Sequence, residues 1–228
     1  MGGELANWTG RPRPRHTAME GRFVRLEPLD PARHGDGLYA ASTVADAPER
    51  FRWLPEFPPA SRADFQPWLD HAAASADPMF FAVIDRQSGA VCGRQTLMRI
   101  DAANGVIEIG NIYWGPAIAR TPAATEALYL FAAHAFDALG YRRFEWKCND
   151  RNAPSKRAAE RFGFSFEGVF RQHMVVKGEN RDTAWYAMID SEWPARKRAF
   201  EVWLDPVNFD GEGRQRRRLE ACRDAIKE

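Results

Sequence analysis

Two short segments hold the residues whose types and spacing could do chemistry. In the first, Arg120-Thr121-Pro122-Ala123-Ala124-Thr125-Glu126, a capping residue and a proline precede small side chains. A helix starting there presents unpaired N–H groups and a partial positive charge, which suits an anion such as phosphate. Ala123, Ala124 and Thr125 let the anion come close, and Arg120 adds a cation. The same residues also describe an ordinary capped helix with no ligand. In the second segment, Asn152 and Ser155 open a short helix directly after a strand. Both could face a ligand along the sheet edge, or act as a plain cap and a first-turn serine. A third candidate is Glu108 in VIEIGNIYW (106–114), which alternation sets on the face of Val106 and Gly110, opposite Ile107 and Ile109. A carboxylate there could serve as a general base. It could equally stand on a solvated face or in an ion pair.

The surrounding pattern predicts the elements that must position these groups. GRFVRLEPL (21–29) reads as a strand, and Asp30-Pro31 caps a helix through about Ala41. Four prolines make 44–60 irregular, and Ser61 caps a helix over 62–75 that presents Trp68 and Leu69 on one face. FFAVID, VCGRQTLMRI and VIEIGNIYW form an antiparallel meander across two short turns. Thr121 caps a long helix whose core face runs through Ala124, Leu128, Phe131, Ala132, Ala135, Phe136 and Leu139, stopped by Gly140. RRFEWKC (142–148) places Phe144, Trp146 and Cys148 on one side of a strand, completing a crossover unit. A short helix to Gly163, a hairpin around KGENR, a helix over 191–204 and a last charged helix with a stripe of Leu219, Cys222 and Ile226 follow. The reading divides the chain into a flexible arm (1–19), one α/β domain of α+β character (20–190) and a C-terminal helical extension (191–228).

Composition narrows the class. With 45% hydrophobic and 28% charged residues at net charge +1, the chain suits a folded globular domain and offers no global attraction for nucleic acid or an anionic membrane. No apolar run reaches spanning length and the N-terminus lacks a signal-peptide core, so no membrane partner is expected. Three scattered cysteines suggest reduced thiols and a cytoplasmic location. The five histidines show no metal-ligand spacing, so no metal is expected.

Taken in order, VRLEPL, VIEIGNIYW, ATEAL, NAPSKRAAERFGF and FEGVFRQ resemble the GNAT superfamily of acyl-CoA-dependent N-acetyltransferases, nearest the branch of ribosomal-protein N-terminal acetyltransferases. The resemblance spans roughly residues 20–190. It implies a mixed, mostly antiparallel sheet splayed between its fourth and fifth strands, with helices on both faces. It implies acetyl-CoA as co-substrate, with its pantetheine arm pairing with strand four near Tyr113 and Trp114 and its pyrophosphate on amides of residues 121–126. Asn152 then matches the family asparagine that contacts the cofactor, and Ser155 the residue that bonds the thioester sulfur or protonates the departing thiolate. Glu108 falls at the family's acidic position. One departure stands out: aligned on Ala124-Thr125-Glu126-Ala127, the usual basic position is Ala119 and the usual glycine is Pro122, which has no N–H. Arg120, one residue along, offers a replacement charge.

The expected reaction is direct acetyl transfer to a primary amine on a protein N-terminus, a small amine or an aminoacyl-like metabolite. Trp53, His173 and Trp185 are candidates to line the acceptor site, with His173 a second candidate base. A competing expectation is a non-catalytic acyl-CoA-binding protein of the same fold; another is an interaction protein working through its C-terminal helix. Arg216-Arg217-Arg218 reads as a solvated helix face. The C-terminal stripe suits packing on its own domain or on a second copy, in a homodimer.

Overall fold

The computed structural model describes residues 6–226. One sheet carries eight strands: β1 (Met19–Glu20), β2 (Val24–Pro28), β3 (Met79–Asp85), β4 (Val91–Asp101), β5 (Val106–Trp114), β6 (Arg143–Asn149), β7 (Ser165–Val176) and β8 (Glu179–Ile189). Their spatial order is β1-β2-β3-β4-β5-β6-β8-β7. Every neighbouring pair is antiparallel except β5 and β6. The short β1 shifts the numbering, so the strands expected as fourth and fifth are β5 and β6.

Alternation along the strands gives each face its own core. Val24, Leu26, Phe81, Val83, Ile107, Ile109, Phe144 and Trp146 pack with Ala127, Leu128 and Phe131 of α4 (Pro122–Ala133), which continues as a π-helical turn over His134–Ala138. Phe80 and Ala82, their neighbours on β3, face the other way, toward Leu38 of α1 (Pro31–Ser42) and Phe65 and Leu69 of α3 (Arg62–Ala74). Between these helices, α2 (Ala47–Arg50) is one turn in an otherwise irregular stretch.

β5 and β6 pair only from Val106↔Arg143 to Ile109↔Trp146. Past that point β5 stays on β4 as far as Trp114↔Gly93, and β6 stays on β8 as far as Asn149↔Thr183. The two strands therefore diverge, leaving the β6-facing backbone of Gly110–Trp114 without a strand partner. The break has local causes. Asn111 takes a left-handed φ of 48°, and the β4–β5 register shifts between Arg94 and Thr96. A Cβ on Gly110 would run into the Met98 sulfur, so the smallest residue fits there.

Two expectations change and one is narrowed. The segment expected to hang free at 1–19 is tied down over its described part: Trp8 Nε1 donates to Ala103 O, Arg11 N to Ala102 O and Arg11 Nε to Gly140 O. The described part of the C-terminal extension, 191–226, packs on the main core, one of the two arrangements its stripe allowed, because α6 (Trp193–Leu204) buries Trp193, Phe200 and Trp203 there. The last helix, α7 (Leu219–Asp224), is shorter than expected and begins after Arg216–Arg218. That run forms no helix face; Arg216 N and Arg217 N donate to the carbonyl and side chain of buried Asn208, which the sequence pattern did not anticipate.

Candidate active site

The diverging ends of β5 and β6 bring two helix starts toward one gap. Pro122 opens α4 as expected, yet Thr121 does not cap it: its hydroxyl donates to Ile118 O at 2.7 Å. The amides of Ala123, Ala124 and Thr125 would have to bond residues 119–121, and no such bond forms. These N–H groups belong to buried residues and find no main-chain acceptor before the helix, and their placement at a helix start favours an anion. Pro122 thus removes one donor and leaves three. Arg120 is exposed, takes φ 66° and has no acidic partner among the described residues. A second cation escaped the sequence reading: Arg161, on α5 (Ala153–Phe162), donates from Nη1 to Thr125 Oγ1 at 3.1 Å. Burial pulls Arg161 below the usual guanidinium range, and its guanidinium lies over the rings of Phe162 and Trp203. Only its place in the RFGF turn, ending the helix that starts at Asn152, hinted at it.

Asn152 caps α5 by accepting from Ser155 N at 3.1 Å. That bond uses Oδ1 and leaves the Nδ2 donors free for a ligand. Ser155 Oγ accepts from Trp146 Nε1 at 3.0 Å, so its own proton remains available to donate. Buried Cys148 lies beside it; burial pushes the thiol up while the Ser155 hydroxyl opposes the shift.

Tyr113 and Trp114 offer backbone more than side chain. The Tyr113 hydroxyl donates to Ala41 O and its ring packs on Phe51 at 4.8 Å between centroids. Trp114 Nε1 donates to Gln95 Oε1, and Gln95 Nε2 reaches Ala127 O, fastening β4 to α4.

Glu108 is buried on the opposite sheet face, as its alternation predicts, inside a chain of ion pairs. Its carboxylate meets Arg99 Nη1 and Lys147 Nζ, each at 2.9 Å from Oε2. Lys147 also pairs with Glu145 at 2.6 Å, and Arg143 joins Glu145 to Glu167. Oε2 accepts from both cations, and Oε1 takes a longer bond from Arg99 Nη1 at 3.2 Å. Setting Phe144, Trp146 and Cys148 on one side of β6 already implied Glu145 and Lys147 on the other; the sequence reading did not use that signal. Trp185 lies here too, under the Lys147 ammonium at 3.8 Å, and His173 Nδ1 contacts Thr183 Oγ1 at 3.0 Å. Burial, then Arg99, Arg181 and Lys147, hold His173 below the ordinary imidazole range. Trp53 sits apart from this group, with the Arg52 guanidinium over its ring. The irregular segment that carries it touches the β7–β8 turn: Lys177 Nζ donates to Phe51 O at 2.8 Å and lies over Phe57. Among the described residues no cluster suited to a metal ion occurs, and no helix is long and apolar enough to cross a membrane.

Comparison with known proteins bears on the family and the fold. Residues 24–165 match the Acetyltransferase (GNAT) domain family. A crystal structure of a GCN5-related N-acetyltransferase from Brucella melitensis is 65% identical, covers 96% of this chain and 100% of that one, and superposes with a TM-score of 0.96. A Bacillus subtilis protein named "Putative ribosomal N-acetyltransferase YdaF" is 30% identical over 48% of this chain, a stretch that spans 59% of that relative's length. The fold also matches the microcin C7 self immunity acetyltransferase MccE, solved in complex with acetyl-CoA and AMP, at 18% identity and a TM-score of 0.65 over 74% of this chain and 93% of that one.

Proposed function

The chain belongs to the GNAT acetyltransferases and is an acyltransferase; from that membership we propose that it moves an acetyl group from acetyl-CoA to a primary amine by direct attack. The observation that carries this reading is the gap past Ile109↔Trp146, flanked by the free amides of Ala123–Thr125 and by the Ser155 hydroxyl. An acyl-CoA has matching parts: a diphosphate for the amides, with Arg120 and Arg161 adding charge, and an amide-bearing arm for the unpaired backbone of Gly110–Trp114. Asn152 Nδ2 is free to bond the arm. This fit supports acetyl-CoA as co-substrate, in keeping with the family.

The acceptor amine must lose a proton to attack, and Glu108 takes it through a water. The nitrogen lone pair adds to the thioester carbon, and the carbonyl oxygen gains the charge. A backbone N–H freed where β5 breaks near Asn111 stabilises that oxyanion. Collapse breaks the carbon–sulfur bond; Ser155 hands its proton to the leaving thiolate and is reprotonated by the second proton that the new amide nitrogen sheds. No covalent enzyme intermediate is needed. Trp185 and His173 line the acceptor side, and Trp53 borders it. The acceptor is a protein N-terminus, a small amine or an aminoacyl-like metabolite; the name of the Bacillus relative lends support to the first. A cytoplasmic location accords with three buried free thiols.

Calorimetry with acetyl-CoA, followed by an amine panel read by mass spectrometry, tests the proposal. Saturable binding and an acetyl mass gain on an amine are expected. Tight binding without turnover on any amine would favour a non-catalytic acyl-CoA binder. No binding to any coenzyme A species would overturn both.

A further inference from the structure

The open half of the sheet face around Glu108 has an uneven charge account. Arg99, Arg143 and Lys147 are matched by Glu108, Glu145 and Glu167 through direct ion pairs. Arg181 is left over. It shares a face of β8 with Thr183 and Trp185, and its Nε donates to Thr183 Oγ1 at 3.2 Å. Among the described residues no carboxylate pairs with it, so both terminal nitrogens are free. Burial, which pulls Arg181 below the usual guanidinium range, makes an unpaired charge there costly. An indole further along the same face of β8 is short of a partner too: Trp185 Nε1 is buried and has no acceptor.

Position connects these two groups to the reaction. Thr183 pairs with Asn149, the last residue of β6, so Arg181 stands two residues, about 7 Å, further along β8 at the open end of the gap. Thr183, His173 and Trp185 bridge from Arg181 back to Lys147 through contacts at 3.0 Å, 5.9 Å and 3.8 Å.

We infer that Arg181 anchors a carboxylate carried by the acceptor amine, so that this acetyltransferase selects amines bearing a single negative charge. The inference rests on the proposed acetyl transfer. A guanidinium binds a carboxylate through two parallel N–H bonds, and one negative charge balances the one surplus cation, whereas a phosphate dianion would overshoot it. The carboxylate has two natural sources: the α-carboxylate of a free amino acid, or an Asp or Glu side chain near a peptide N-terminus.

The test measures kcat and KM with acetyl-CoA on matched acceptors: free amino acids against their amides, peptides beginning with an acidic residue against the Asn or Gln counterparts, and phosphoethanolamine. One of the two carboxylate sets should exceed its neutral partners by about tenfold or more in kcat/KM, chiefly through KM, as expected for losing a charge-assisted bond. Which set does so identifies the source. Arg181→Gln should erase the preference while leaving the KM for acetyl-CoA and turnover of the neutral amines as they were, and Arg181→Lys should retain part of it. Equal use of charged and neutral acceptors, preference for phosphoethanolamine, or loss of both activities alike in Arg181→Gln and Arg181→Lys would each overturn the inference while acetyl transfer stands. Absence of transfer to every amine would remove the catalytic reading itself, and this inference with it.

Discussion

Arg94 and Asn111 are joined twice: one guanidinium nitrogen donates to the main-chain carbonyl of Asn111 at 2.9 Å and to its side-chain oxygen at 2.5 Å. Arg94 is 1% exposed, pairs with Glu56 and lies over the ring of Trp68, while Asn111 is the left-handed residue where β5 leaves its regular path. Burial pulls the guanidinium down to about 9, so it is cationic at neutral pH. A buried charge thus holds the backbone break that opens the gap, and through Glu56 it ties that break to the irregular segment bordering the acceptor side.

Arg94→Met keeps most of the volume and removes both donors. Leaving Glu56 and Asn111 without their partner should cost about 3 kcal/mol of stability. It should also lower kcat/KM by roughly 100-fold, because a displaced β5 backbone misaligns donor and acceptor. Urea unfolding and steady-state kinetics measure the two effects. Pairing the change with Glu56→Gln should cost less stability than the two single losses added. A variant with parental kcat/KM would strip Arg94 of its positioning role.

Ser155→Ala should reduce kcat by about 100-fold, the range of a lost general acid, with little change in acetyl-CoA affinity. It also deprives Trp146 Nε1 of its acceptor, so a stability loss alone proves nothing. The decisive comparison uses thioesters with more acidic thiols. A better leaving group needs less protonation, so the deficit of the variant should shrink along that series. A constant deficit would count against the donor role.

The fold was legible because its signals are local. Alternation in Val106–Trp114 and Arg143–Asn149, the proline at 122 and the glycine at 163 each mark an element without reference to the rest of the chain. Asn152 and Ser155 could be placed for the same reason. What stayed hidden depends on contacts between distant segments. Arg94 looks like one polar residue in a strand, and nothing nearby in sequence announces Asn111 or Glu56 as its partners. Arg161 reaches Thr125 across 36 positions. Thr121 has the right type and place for a cap, yet its hydroxyl prefers the Ile118 carbonyl, a choice set by the turn before the helix.

The pH dependence separates two candidate bases. If Glu108 acts through water, Glu108→Gln should lower the rate most at low pH, where the acceptor amine is largely protonated and most needs a base. His173→Gln should then run parallel to the parent. His173 is held below the ordinary imidazole value, first by burial and then by the nearby cations. If it were the base, the parental rate would be full above that depressed value and would fall as pH drops through it, below about 6.5. His173→Gln would flatten that acid limb. A Glu108→Gln ratio independent of pH would sink the first scheme.

Glu126 illustrates how a residue quoted for resemblance can owe its place to folding. It is buried in α4, and its carboxylate accepts from the backbone N–H groups of Arg22, Phe23 and Val24 at 2.7, 2.6 and 2.9 Å. The helix is thereby clasped to the start of β2, and a Cβ on Gly21 would strike that carboxylate. Glu126→Gln turns an amide donor toward three donors and should cost about 2–4 kcal/mol, the scale of buried unsatisfied groups around a lost charge-assisted acceptor. Urea unfolding reads the loss, and the folded fraction should keep its acetyl-CoA affinity, because the free amides of Ala123–Thr125 precede Glu126 and make none of these bonds. Parental stability would show that the clasp contributes nothing, whereas lost affinity in a stably folded variant would assign Glu126 to the cofactor site.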